Sequence, residues 1–424
     1  MPPKTVEIND IYLYYSTEIN RKRFFFENSL LTTDGDFFCF CERTLSDMSV
    51  DYENIFRKFS VEGSFSGATP FGNGHINDTY SIDSVLPDGS IKRYVLQRVN
   101  TFVFRDVDGL MENISKVTRF LVGQLTKAGR DPDKEAMQVI PAVDGSLYHR
   151  DDVGNCWRML SMVENTISLQ QAQSNEDFYE AAVAFGRFQH LLSGYDAKSL
   201  VEVIPFFHYT PKRFSDLEAA IERDAVGRVK EVGPEIRFAL ERKKEVSVLT
   251  DLLEKKELPL HVTHNDTKLN NVLFDKETRK GVCVIDLDTV MPGLCHYDYG
   301  DAIRFGASTA EEDETNLKKV KMDLSLFEIF TRGFLEETID SLSDAEIRTL
   351  PWGAKLMTFE CGMRFLTDFL EGDAYFKINR PVQNLDRARN QFALVSDMEE
   401  KWDKMHEIIE NVCENIKVGR ACVR

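Results

Sequence analysis

The sequence has no C-x-x-C pair; its eight cysteines stand apart, at 39, 41, 156, 283, 295, 361, 413 and 422. That excludes a zinc ribbon and a thioredoxin-like dithiol, and thiols set in apolar runs fit a reducing cytoplasm. No Gly-Lys dipeptide occurs, which rules out an ordinary Walker A loop. No apolar run is long enough to cross a bilayer and no secretory leader is seen, so a cytoplasmic enzyme without a membrane partner is expected. Positive charge is in deficit: 52 Lys and Arg against 70 Asp and Glu give a net charge of −18. Nucleic acid is therefore an unexpected partner, because phosphate backbones are bound by basic surfaces. Repeats and low-complexity linkers are missing too. His261 and His264 lack the carboxylate and third ligand of an H-E-x-x-H site, so zinc is not expected. The 424 residues allow two or three domains, and 42% apolar and 29% charged residues are ordinary for a soluble globular protein.

What is present centres on His264 to Asp288, HNDTKLNNVLFDKETRKGVCVIDLD. Asp266 follows His264 at the second position, Asn271 follows after four intervening residues, and Asp286 ends the apolar run Val282 to Ile285. The order H-x-D, four residues, Asn, strand, Asp is that of the protein-kinase signature set. Phosphoryl transfer explains it. A migrating phosphoryl group needs a divalent metal, and the metal needs hard oxygen ligands, here the Asn271 amide and the Asp286 carboxylate. The attacking hydroxyl must lose a proton, which Asp266 is placed to accept. Val272 to Phe274 and Val282 to Ile285 are expected as two short buried strands, a hairpin that returns Asn271 and Asp286 to one end. Asp and Asn also form turns at strand ends, so it is the ordered triplet that carries weight.

Residues 1 to 47 show no clean period and are expected as an extension, with Phe37 to Cys41 able to make a strand. A nucleotide-binding N-lobe is expected over 48–165 and a catalytic C-lobe over 166–424. A short helix is expected over Asp51 to Phe59. Phe71 to Tyr80, FGNGHINDTY, places two glycines in a turn that lets backbone approach a phosphate. Gly72, Gly74, Asn77 and Thr79 are its candidate nucleotide contacts, with Asn77 where a G-x-G-x-x-G loop would have its third glycine. GSFSG at 63 to 67 is no nucleophile elbow, since its centre is Phe65. Lys92 to Val99 is expected as a strand with Arg98 as the cation nearest the kinase lysine position. Adjacent strand residues face opposite ways, which leaves open whether Arg98 or Gln97 meets the nucleotide. Glu112, on a helix over Val107 to Leu125, is the candidate partner. Val139 to Arg150 and Asn155 to Val163 are expected as strands joined through an Asp144-Gly145 turn, and Glu164-Asn165 as the crossing beside the nucleotide.

Helices are expected over Asp177 to Leu192, over a long stretch from Phe214 to Lys255, over Leu324 to Leu335 and Leu350 to Leu370, and from Asp386 to about Ile416. Asp298 or Asp301 is expected to bond back to the loop around His264, or to cap a helix start. Glu360, Arg364 and Asp368 repeat every fourth residue, a charge ladder that is usually solvated.

HNDTKLNNVLFD with VIDLDTVMPG and YDYGDAIR resembles the aminoglycoside phosphotransferase-like superfamily, whose fold is protein-kinase-like. FGNGHINDTY, LQRVN, FECGMRFLTDFLEGDAYFKI and NLDRARNQF resemble the N-acetylhexosamine 1-kinases within it, over roughly residues 50 to 416. The resemblance implies an α+β, two-lobed fold with a small β N-lobe, a larger α C-lobe and a cleft between. It implies transfer from ATP, with Mg²⁺, to the anomeric hydroxyl of N-acetylglucosamine or N-acetylgalactosamine. It carries the base role to Asp266, metal ligation to Asn271 and Asp286, nucleotide contact to the 72–79 loop, Arg98 and Glu164, and sugar contact to His75, Asp266, Arg364 and Tyr375. The alternatives are a kinase of this fold acting on another small alcohol or an aminoglycoside, and a nucleotide-binding module without activity. A protein kinase is disfavoured by the missing D-F-G, A-P-E and strand lysine.

Overall fold

The computed structural model describes residues 50–72 and 76–423. The extension over 1–47, the strand expected at Phe37 to Cys41, and the candidate residues Gly74 and His75 lie outside these. After a short helix at Tyr52–Phe56, six strands form one antiparallel sheet. They are β1 (Ser64–Pro70), β2 (Asp78–Val85), β3 (Ile91–Val99), β4 (Val139–Ile140), β5 (His149–Arg150) and β6 (Cys156–Ser161). Their order is β1-β2-β3-β6-β4, with β5 also on β6. The expected strand over Val139 to Arg150 is thus two fragments on one partner. Pro141 cannot donate to a ladder, and the turn from Ala142 to Ser146, with Gly145 at positive φ, lifts the chain off the sheet.

Between β3 and β4 runs helix α1 (Val107–Lys127), capped by the Asp106 side chain. Its apolar face, Leu110, Ile114, Val117 and Leu121, enters a core shared with Phe185 and Phe188 of α2 (Asn175–Leu192) and Val272 and Phe274 of the catalytic hairpin. Asn113 on the same helix is buried and bonds the Val201 and Val290 carbonyls, which satisfies a polar group in that core.

The larger, helical part follows. The expected long helix over Phe214 to Lys255 is three: α3 (Thr210–Arg223), α4 (Gly233–Glu241) and α5 (Val248–Glu254). Asp224 in the left-handed region ends the first, and Gly233-Pro234 opens the second. The small strands are β7 (Thr166–Ser168), β8 (His261–Thr263), β9 (Val272–Asp275), β10 (Gly281–Val284) and β11 (Met291–Gly293). Then come α6 (Cys295–Gly306), α7 (Leu324–Thr338), α8 (Asp344–Leu370), α9 (Gln383–Glu400) and α10 (Trp402–Val423). The expected final helix is therefore two, broken at Lys401.

Helices α6 and α8 cross backbone to backbone at Gly300 and Gly353. A Cβ on Gly300 would collide with the Gly353 carbonyl, and one on Gly353 with that of His296. This close crossing sets α6 against the loop around His264 while α8 flanks it. The architecture is the two-part α+β fold of the protein kinases, a small antiparallel sheet followed by a larger helical part. No described helix is long and apolar enough to cross a membrane.

Candidate active site

The hairpin forms as its sequence requires. β9 and β10 pair antiparallel with Val272 opposite Val284, and the Ile285 N–H donates to the Asn271 carbonyl at 2.9 Å. Asn271 and Asp286 therefore share one end of the hairpin. Asp286 sits in the left-handed region (φ 60°), a conformation that Asp tolerates better than most residues. Asn271 is buried. Its Nδ2 donates to the Asp266 carbonyl at 2.8 Å and carboxylate at 3.1 Å, which leaves its own amide oxygen uncommitted by that group. No described residue hydrogen-bonds the Asp286 carboxylate. Two hard oxygens offered side by side suit Mg²⁺.

The carboxylates feel one another. Asp286 keeps solvent-accessible surface, yet the protein around it desolvates its carboxyl and pushes it up to about 6. The charges of Asp288 and Asp266 add to the rise, and Arg158 opposes it. Metal binding needs the carboxylate. Mg²⁺ affinity is therefore expected to be flat above about pH 6 and to fall about tenfold per pH unit below it. The Mg²⁺ concentration for half-maximal rate, followed from about pH 7.5 to 5, reads this directly. A flat profile would remove Asp286 from the metal's ligands.

Asp266 is held by the loop around it. Its carboxylate pairs with Lys268 at 2.7 Å. Burial works against the Lys268 charge, but Asp266 and Asp301 outweigh it and hold the ammonium above its ordinary range. His264 donates from Nε2 to the Ile285 carbonyl at 2.8 Å and accepts the Asp266 N–H on Nδ1 at 3.2 Å. Those two partners assign the neutral tautomer with its proton on Nε2. The ring lies edge-on to Phe185 and Phe188. Buried Asp298 of α6 accepts the backbone N–H groups of His264 (2.9 Å) and Asn265 (2.7 Å) and the Gln189 amide (2.6 Å). Of the two aspartates expected to orient the loop, Asp298 makes these bonds. Asp301 pairs with Arg304 at 2.9 Å.

The N-terminal sheet contributes differently from expectation. Arg98 pairs with Asp78 and lies over Trp157, on the strand face opposite Gln97. Gln97 faces Thr79 (3.0 Å) and the guanidinium of Arg158 (2.9 Å), its cross-strand neighbour on β6. Arg158, almost fully buried, makes an ion pair with equally buried Asp288 at 2.5 Å. Asp288 also accepts the Asn77 amide at 2.6 Å, and Asn77 in turn accepts the Asn100 N–H at 2.9 Å. Asn77 thus ties the glycine-rich turn to the residue two beyond Asp286. The inner cation of this sheet is Arg158, not Arg98. Strand alternation decides it, because neighbours on β3 cannot share a face. Glu112 pairs with Lys116 on the surface rather than with Arg98. Thr79 Oγ1 accepts the Gln97 amide N–H. Glu164 is exposed and paired with Arg93 at 2.9 Å, and Gly72 lies in an exposed turn at positive φ.

Across the loop around His264, the two carboxylates of the ladder on α8 are buried, not solvated, Glu360 1% and Asp368 4% exposed, with Arg364 half-buried between them. Glu360 accepts Thr210 Oγ1 at 2.9 Å and faces His208 Nδ1 at 3.0 Å, while His208 Nε2 faces the Asn265 carbonyl at 3.0 Å. Both ring nitrogens meet acceptors, so the network assigns an imidazolium to His208. Burial raises Glu360, but His208, Arg213 and Arg364 outweigh it and hold the carboxyl below its usual range. Arg364, one turn on, lies over the rings of Phe376 (5.4 Å) and exposed Tyr375 (5.9 Å). Asp368 pins that loop by accepting the N–H groups of Tyr375 and Phe376 at 2.7 and 2.9 Å. The structure thus brings Asp266, Asn271 and Asp286 together, and Arg364 with Tyr375. A chain through Glu360 and His208 joins the second group to the loop of the first.

A family profile for the phosphotransferase enzyme family matches residues 67–328, more than half of the chain. The chain belongs to the phosphotransferase enzyme family. Among solved structures, an aminoglycoside phosphotransferase from Alicyclobacillus acidocaldarius is similar at 12% identity and TM-score 0.51, covering 86% of this chain and 96% of that one. An amicoumacin kinase in complex with AMP-PNP and Ca²⁺ is similar at 13% identity and TM-score 0.51, covering 82% and 95%. At these identities the likeness is one of fold. The match over residues 67–328 includes Asp266, Asn271, Asp286 and Asp298.

Proposed function

We propose that the chain transfers the γ-phosphoryl group of ATP to the anomeric C1 hydroxyl of an N-acetylhexosamine, giving a sugar 1-phosphate. Asp266, Asn271 and Asp286 on one hairpin end support the transfer. Asp266 aims the sugar hydroxyl and takes its proton as the new P–O bond forms. Lys268, charged and beside Asp266, stabilises the migrating group. Asn271 and Asp286 would hold Mg²⁺, which supplies charge neutralisation on the phosphates when bound. The Gly72 to Asn77 loop would cover the phosphates and limit water, and the segment at Glu164-Asn165 would meet the base. In this reading N-lobe and C-lobe divide at 165/166.

The observation that favours a sugar is the acceptor-side platform. A guanidinium laid on two aromatic rings, above a buried and ionised Glu360, offers ring faces and hydrogen-bond donors, as a neutral polyol wants. A second reading, an amine-bearing alcohol such as an aminoglycoside, rests on a cavity of about 650 Å³ beside the loop. Thr267 and Leu269 line it with Glu311, Glu312 and Glu314. Glu312 and Glu314 are paired with Arg304 and Lys319, which weakens their pull on a cationic ligand. ADP release measured with ATP, Mg²⁺ and a panel of hexoses, N-acetylhexosamines, amino alcohols and aminoglycosides separates the two. Release driven by N-acetylhexosamines alone is expected. Release driven only by the amines would replace the proposal with the second reading.

A further inference from the structure

Three elements, β8, α6 and α8, meet at their N-terminal ends. His261 opens β8, Cys295 and His296 open α6, and Glu346 stands in the first turn of α8. All four are buried. One donor atom each from His261, Cys295 and Glu346 lies within 4.8 Å of the others. Glu346 Oε1 is 2.5 Å from His261 Nε2 and 3.5 Å from Cys295 Sγ. His296 Nδ1 is 3.6 Å from the same sulfur. None of the four takes part in the phosphotransfer scheme above.

The protons of this cluster can be assigned. Glu346 Oε2 is occupied by the N–H and O–H of Ser343, the reciprocal capping box of α8. Thr349 Oγ1 spends its one proton on the Ala345 carbonyl at 2.6 Å, so it must accept from His296 Nε2 at 2.8 Å. The His296 proton is thereby fixed on Nε2, and its Nδ1 lone pair faces the sulfur. Burial holds His296 down at about 4, so the ring is neutral. Burial raises Glu346, but His261 and the Ser343 bonds outweigh it and hold the carboxyl below its usual range. One sulfur, the His261 nitrogen and one carboxylate oxygen therefore approach one interior point, and the His296 Nδ1 lone pair faces the sulfur from outside that group.

We propose that His261, Cys295, His296 and Glu346 form a structural zinc site, binding through Nε2, Sγ, Nδ1 and Oε1. Tetrahedral zinc sets its donors about 3.3–3.8 Å apart, which the two sulfur distances already meet; the His261–Glu346 bond opens by roughly 1 Å, and His296 Nδ1, which lies outside the three-donor group, turns in toward the ion. Sulfur and imidazole select zinc over Mg²⁺. Thr349 and Ser343 are the outer hydrogen-bond partners that orient His296 and Glu346. On binding, the Cys295 thiol proton leaves to solvent and His261 vacates Nε2 for the ion. Four protein donors leave no open position, so the ion's role is to hold elements together. β8 runs directly into His264, α6 carries Asp298, and α8 carries Glu360, so the ion would fasten the base of the loop that positions Asp266.

The full chain, expressed with zinc and desalted after brief exposure to EDTA, should retain about one zinc per molecule by plasma mass spectrometry. Cys295→Ser with His261→Gln should lose it. Asp286→Asn should keep it, which separates this site from the phosphotransfer metal. Should the double variant fail to fold, cobalt substitution of the unaltered chain still decides: a thiolate-to-cobalt absorption band is expected. Zinc-free protein, zinc content unchanged in the folded double variant, zinc lost in Asp286→Asn, or cobalt protein without the band would each overturn the proposal.

Discussion

Asp266→Asn should lower kcat by about 10²–10⁴ while nucleotide affinity stays within about twofold. The amide is nearly isosteric and its oxygen still accepts one bond, so Lys268 or Asn271 keeps a partner there. What it cannot do is take a proton from the acceptor hydroxyl. A second consequence separates loss of the base from a distorted loop. The Asp266 charge is one of the causes that raise Asp286. Removing it should move the acid limb of the Mg²⁺-affinity profile to lower pH. Turnover near that of the unaltered chain would refute the base assignment. A limb that stays in place would show that the two carboxylates do not share a site.

The fold was legible wherever local pattern decides. The hairpin Val272–Asp275 with Gly281–Val284, the helix Val107–Lys127 and the helix Asn175–Leu192, expected from Asp177, follow from apolar period. The misses have local causes too. Pro141 and Gly145 break a strand that composition alone runs through, and Asp224 and Gly233-Pro234 divide a helical period that continues in phase on either side. β11 was not anticipated because its pairing with β8 joins residues about thirty apart, and Pro292 argues against a strand when read alone.

In the site, the sequence shows those residues that one segment carries. Asp266, Asn271 and Asp286 lie within a single stretch, so their order is visible. Arg158 with Asp288, His208 with Glu360, and His261 with Cys295 and Glu346 are brought together only by tertiary packing. The sole local signal for Arg158 was a charge inside the apolar run WRMLSMV, since a strand buried on both faces carries a charge only when something inside pairs with it. The α8 ladder misled for the converse reason. Four-residue spacing shows that Glu360, Arg364 and Asp368 share a face, but only the packing of α8 against α3 and the catalytic loop shows that this face points inward.

Arg158→Met should destabilise the protein by about 3–5 kcal/mol, because it leaves the Asp288 carboxylate buried with only the Asn77 amide as a polar partner. Methionine keeps most of the volume, so the loss reflects the uncompensated charge rather than a cavity. Adding Asp288→Asn removes that charge while its amide oxygen still accepts from Asn77, and should return stability to within about 1 kcal/mol of the starting chain in urea unfolding. The acid limb of Mg²⁺ affinity gives a reading that packing alone would not move. Arg158 lowers Asp286 and Asp288 raises it, with Asp288 the larger influence. Arg158→Met should therefore shift the limb to higher pH, and the double variant should shift it below that of the unaltered protein. Stability lost with the limb unmoved would make the pair a scaffold for the sheet and nothing more. Movement in these opposite directions would establish it as the link by which the N-terminal sheet sets the charge state of Asp286, the proposed metal ligand.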